Sequence, residues 1–138
     1  MNSKKWTFPK NERLSQKRHI DMLFQNGLSF VAFPLRVIYF PIDNVVGSPM
    51  VDAHLDSDVS MIVCIPKKKI KLAVDRNYIK RRVNESYRLR KYELINLFSD
   101  KDQKLLLAFI YLDKEISSFE KIDHAMSKVI HTLLKITE

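Results

Sequence analysis

The run Arg76-Asn77-Tyr78-Ile79-Lys80-Arg81 sets cations one helical turn apart with an amide between them. Residues four apart share a helix face. A guanidinium binds phosphate with two parallel hydrogen bonds, and an asparagine amide both donates and accepts at one place. Asp75 reads as the N-cap of the helix carrying this run, and the positive end of a helix favours anions as well. Lys67, Lys68, Lys69 and Lys71 precede it and extend the positive surface. The chemistry on offer is the holding of phosphate and sugar rather than the breaking of bonds.

No other constellation competes with this one. No nucleophile stands beside a base in any recognisable spacing, so no catalytic residue is expected on the chain. His19, His54, His124 and His131 are scattered. The last two share a helical face, but no carboxylate or cysteine cluster accompanies them, and no metal site is expected. Asp52, Asp56 and Asp58 resemble a divalent-cation loop only faintly, with no glycine turn in register. They read as a solubilising acidic loop. The two glycines, Gly27 and Gly47, are too few for a glycine-rich phosphate loop. The lone Cys64 excludes an internal disulfide and reads as a buried strand residue.

The charge is local. Pro66 to Lys91 holds eleven basic residues against Asp75 and Glu85, a net +9, while the whole chain is +8. A cationic patch of this kind is the electrostatic footprint of nucleic-acid binding. Helix faces turned to solvent usually mix Glu with Lys and Arg; here acids are nearly absent.

The elements that must position these residues follow from periodicity. The length of 138 residues and an apolar fraction of 46% fit one domain, with residues 1–11 a flexible tail and 12–135 the folded part. Arg13 to Asn26 reads as a helix ended by Asn26-Gly27. Phe33 to Pro41 reads as a strand, residues 42–56 as a long connection, and Val59 to Ile65 as a buried strand. A further strand is expected within residues 42–58. After the basic loop, one helix is expected from Asp75 to about Phe98. Its stripe Ile79, Val83 and Tyr87, with Ser86 beside it, packs inward. Lys80, Arg81, Asn84, Arg88 and Lys91 fall within about a 100° arc next to that stripe. Leu105 to Leu112 reads as a strand, and Ser117 with Glu120 as a capping box opening a last helix. The fold class is α+β, in the order αβββαβα. No apolar run approaches the roughly 20 residues of a membrane span, and a polar N-terminus leaves a reducing cytoplasmic setting as the default.

The run from Lys67 to Glu85, with Ala73-Val74, Arg76-Asn77 and Lys80-Arg81 at its centre and Glu85-Ser86-Tyr87-Arg88 after it, resembles the signature of the bacterial ribonuclease P protein subunit family. Arg13-Leu14, Ile20, Phe24 and Gly27 agree with the N-terminal pattern of that family. The resemblance spans about residues 12–135. It departs at Tyr78, where the family often has arginine, at Asn84, near Lys71, where a glycine is common, and at Ile20, where an aromatic is usual.

The resemblance implies a compact α/β sandwich like a ribosomal-protein RNA-binding domain (the S5 domain 2-like fold), with a small mixed sheet and a left-handed βαβ crossover. It implies two partners, the catalytic RNA of ribonuclease P and precursor tRNA, with neither DNA nor membrane. Catalytic-RNA contacts would come from Lys67, Lys68, Lys69, Lys71, Arg76, Asn77, Lys80, Arg81 and Arg88. A cleft for the single-stranded 5′ leader would be lined by Ile20, Phe24, Arg36 and Ile38. The RNA and its Mg2+ would perform the hydrolysis, and the protein itself would need no cofactor. Two other readings stay open: a non-catalytic RNA-binding or ribosome-associated module, and a DNA-binding recognition helix. The latter lacks a helix directly before Asp75 across a short turn.

Overall fold

The computed structural model describes residues 12–43 and 58–137. The elements are α1 (Lys17–Asn26), β1 (Leu28–Ala32), β2 (Leu35–Asp43), β3 (Val59–Cys64), α2 (Ala73–Arg90), α3 (Tyr92–Asp100), β4 (Gln103–Tyr111) and α4 (Phe119–Thr137). One four-stranded mixed sheet runs in the order β1-β2-β4-β3. β1 and β4 each pair antiparallel with β2, while β3 pairs parallel with β4 across the α2–α3 connection.

Strand alternation divides the sheet into two faces. Leu35, Val37 and Tyr39 of β2, Leu105, Leu107, Phe109 and Tyr111 of β4, and Val59, Met61 and Val63 of β3 are buried beneath α2, α3 and α4. On the opposite face Ile42, Leu106 and Ala108 pack under Leu14 and Leu23, with Ile20, Ile38, Phe40 and Ile62 partly buried around them. β4 is covered on both faces, which is why Leu105 to Phe109 is buried without a break. α1 is a short helix on the second face, and part of that face stays open: Cys64 and Ile110, aligned in the β3–β4 register, are only half-buried. Cys64 is thus not the fully buried strand residue expected. Burial still pushes its thiol pKa up, with Lys80 opposing.

Several boundaries differ from expectation, and α1 begins at Lys17 rather than Arg13. Leu28–Ala32 is a strand, forming a hairpin with β2. The further strand expected within residues 42–58 falls largely outside the described residues. The single helix expected over 75–98 is two, broken at Lys91. Asp75 is not the N-cap: the helix starts at Ala73, and Asp75 lies in its first turn, where a negative charge favours the helix dipole. Ser117 does not cap α4 either. Ser118 does, its Oγ accepting from the Lys121 N–H at 3.2 Å. The N–H of Ser117 instead donates to the Tyr111 hydroxyl at 2.8 Å.

Gly27 ends α1 in extended backbone (φ −71°), so left-handed conformation is not what requires glycine there. Space is. A Cβ would lie 2.5 Å from the Leu23 carbonyl oxygen and 2.7 Å from Ile38 Cγ2. The missing side chain lets α1 close onto β2.

Candidate nucleic-acid interface

The inward stripe of α2 is as periodicity requires: Ile79, Val83, Ser86 and Tyr87 are fully buried. That fixes the helix rotation and turns Asn77, Lys80 and Arg81 to solvent. With Asn84 they form one wall of an open groove of about 650 Å³. Met61, Ile62 and Val63 of β3 contribute strand residues to its lining, and Arg13, Leu14 and Ser15 line it from the N-terminal segment. That segment is held by a parallel bridge between Arg13 and Met61, with the Leu14 N–H donating to the Met61 carbonyl at 2.8 Å. Arg13 and Ser15 are groove residues that residue type alone does not reveal; the Arg13-Leu14 pair in the N-terminal pattern is the trace they leave in sequence.

Among the described residues, Asn77, Lys80, Arg81 and Asn84 make no side-chain hydrogen bond or ion pair. Lys67, Lys68 and Lys71 are exposed and Lys69 half-buried just before the helix, likewise unpaired among those residues. The structure therefore gathers seven of the nine expected RNA-facing residues as uncommitted polar groups around the start of α2.

The other two are engaged within the chain. Arg76 Nη1 donates to the carbonyls of Ile70 and Lys71, at 3.0 and 2.8 Å. Arg88 forms a two-pronged pair with Glu85, at 2.9 and 2.6 Å. That hydrogen bonding holds the Glu85 carboxyl below its usual range. Lys91, placed by the helical wheel on the cationic arc, is buried instead. Its ammonium meets Glu12 Oε1 at 2.8 Å, and its side chain is 1% exposed. Lys91 keeps helical backbone (φ −69°, ψ −24°) and stands four residues past buried Tyr87, so it continues the inward stripe. Arg82 is also committed, to the Ser117 carbonyl and the Tyr78 hydroxyl.

The four cleft candidates share the second sheet face. Ile20 and Ile38 are half-buried in the cluster under α1. Phe24 is 43% exposed, so it is not a core residue. Arg36 is exposed and sits opposite Ile110 in the β2–β4 register. No group of three His, Cys, Asp or Glu among the described residues is placed to hold a metal ion.

Fold and groove together define a small α+β protein that presents a cationic helix beside a partly open sheet face. The family described as Ribonuclease P matches residues 8–133. The ribonuclease P protein components of two strains of Porphyromonas gingivalis are each 35% identical over 119 residues, covering 86% of this chain and 80% of theirs. The Staphylococcus aureus RNase P protein shares the fold at 16% identity, with a TM-score of 0.61 over 88% of this chain and 94% of that one. A mutant of the same protein with defective mRNA degradation activity superposes with a TM-score of 0.62, at 16% identity, over 90% and 89% of the two chains. The chain belongs to the ribonuclease P protein family.

Proposed function

We propose that this chain is the RNA-binding protein subunit of a ribonuclease P, and that it assists removal of the 5′ leader from precursor tRNA. The observation that carries the reading is the groove wall of α2. Asn77, Lys80, Arg81 and Asn84 face the groove with no partner among the described residues, and four lysines stand in the preceding loop. Cations left unpaired by the fold are available to phosphates, and releasing counterions from the RNA drives the association.

In this reading Lys67, Lys68, Lys69, Lys71, Asn77, Lys80 and Arg81 contact the catalytic RNA, while Arg76 and Arg88 shape that surface through their internal partners. The single-stranded leader lies on the open sheet face. Phe24 offers a stacking ring that tolerates any base, Ile20 and Ile38 an apolar floor, and Arg36 a charge for the backbone. Hydrolysis belongs to the catalytic RNA and its Mg2+. The protein lowers the repulsion between two polyanions and so reduces the Mg2+ that their docking demands. The test is reconstitution: the purified chain added to a bacterial ribonuclease P RNA should stimulate leader removal at low Mg2+. RNA binding without stimulation would instead mark a non-catalytic RNA-binding module.

A further inference from the structure

Tyr78 lies on the exposed surface of α2, one position past Asn77. It is 43% exposed. The Arg82 guanidinium lies over its ring, 4.1 Å from the centroid. That guanidinium is held at both ends, Nη1 donating to the Ser117 carbonyl and Nη2 to the Tyr78 hydroxyl. Ser117 is itself fixed. Its Oγ bonds Asp113 at 3.1 Å, and its N–H bonds the Tyr111 hydroxyl at 2.8 Å. The Asp113 carboxyl, although burial pulls its pKa up, is held below the usual range by the Glu115 N–H, Ser117 and Lys121. The Tyr78–Arg82 stack is thus anchored to a loop that is itself cross-braced.

Beside the stack lies a shallow depression of about 280 Å³, lined by Tyr78, Arg81, Arg82, Glu85 and Phe119. Two of its five lining residues are aromatic, and Arg81 at its rim is exposed and unpaired among the described residues. Arg82 is held over the Tyr78 ring by its bonds to Ser117 and Tyr78, so this position presents flat π surface. Flat aromatic and guanidinium surfaces take unpaired bases, since every base has a π-face.

We propose that the Tyr78–Arg82 stack, with Phe119 lining the same depression, is a binding site for one unpaired base of the catalytic RNA, Arg81 taking the flanking phosphate. This rests on the reading of the chain as a ribonuclease P subunit.

The test uses the full chain and a bacterial ribonuclease P RNA, with affinity measured across a salt series. Tyr78→Ala should bind about tenfold more weakly with an unchanged salt slope. Tyr78→Phe, which keeps the ring, should bind within about twofold of the parent, well inside what loss of a stacked base costs. Tyr78→Arg should steepen the slope by about one unit. A photo-crosslinking residue at position 78 should mark an unpaired nucleotide. Equal binding by Tyr78→Ala, equal loss in Tyr78→Phe, or a crosslink confined to a duplex would each overturn the stacking site while leaving the subunit reading intact. Failure of the parent chain to bind this RNA at all would overturn both.

Discussion

The guanidinium of Arg76 ties down the loop that precedes it, donating at 2.8 Å to the backbone carbonyl of Lys71. The same Nη1 reaches the Ile70 carbonyl at 3.0 Å, and Ile70 is buried in the main core. Arg76 is therefore a strut between the helix start and the lysine loop, whatever charge it also offers to RNA. Arg76→Lys keeps the charge but loses the rigid, planar Nη1 whose N–H groups reach both carbonyls. It should lose RNA affinity nearly as fully as Arg76→Ala, and hydrogen exchange over residues 66–72 should quicken in both. Wild-type affinity in Arg76→Lys would mean that the charge alone matters.

Lys91 and Glu12 are a buried pair, side chains 1% and 13% exposed. Breaking such a pair strands a charge away from water. Lys91→Ala should destabilise the fold by about 3–5 kcal/mol, read as a shift in denaturant midpoint. The double replacement Lys91→Met with Glu12→Gln should recover much of the loss. The hydroxyl of buried Tyr87, whose pKa is pushed up by burial and then by Glu12, stays neutral throughout and cannot compensate.

Gly27→Ala tests the closure of α1 on the sheet. The new methyl meets the Leu23 carbonyl at 2.5 Å and Ile38 Cγ2 at 2.7 Å. Neither the backbone oxygen nor the packed isoleucine yields cheaply, so a loss of about 1–3 kcal/mol is expected. Because Ile38 and Phe24 belong to the proposed leader cleft, the variant should also weaken binding of precursor tRNA with a long leader more than binding of mature tRNA.

Asp123 joins α4 to α2. It accepts from Arg90 at 3.0 and 2.8 Å and from the buried Ser86 hydroxyl at 2.7 Å. The Arg90 hydrogen bonds hold its carboxyl below the usual aspartate range, against burial and with help from Ser86. A folded-state pKa that is lowered gives stability that is complete above the ordinary aspartate value of about 4. That stability is lost as pH falls through the lower folded value. Asp123→Asn should therefore lose less stability than the parent between about pH 5 and pH 2 in denaturant titrations. Asp123→Ala at neutral pH should cost about 1–3 kcal/mol, because it leaves the Ser86 hydroxyl without its acceptor.

The parts of this fold set by local periodicity were readable from residue order, and the parts set by distant partners were not. The stripe Ile79, Val83 and Tyr87 announced its burial because a helix repeats every few residues. Lys91 extends the same stripe, yet a lysine there is buried only because it meets Glu12, which lies far away in sequence. Arg76 reads in sequence as a phosphate-binding cation alone, because its internal acceptors are carbonyls, which carry no signal in residue type. β1 carries little signal of its own, because Leu28–Ala32 follows directly on Gly27 and the Asn26-Gly27 pair marks a helix end. The groove wall of Asn77, Lys80 and Arg81 was legible because charge so concentrated, with so few acids, has no local use.

Cleavage of precursor tRNA by a bacterial ribonuclease P RNA, measured across a Mg2+ titration with and without the chain, bears most directly on the central claim. The parent chain should shift half-maximal cleavage to lower Mg2+. The double variant Lys80→Ala with Arg81→Ala, folded to the same melting temperature, should shift it far less and lower the salt slope of RNA binding by about two units. A Mg2+ requirement that stays unchanged while the parent chain demonstrably binds the RNA would contradict the account.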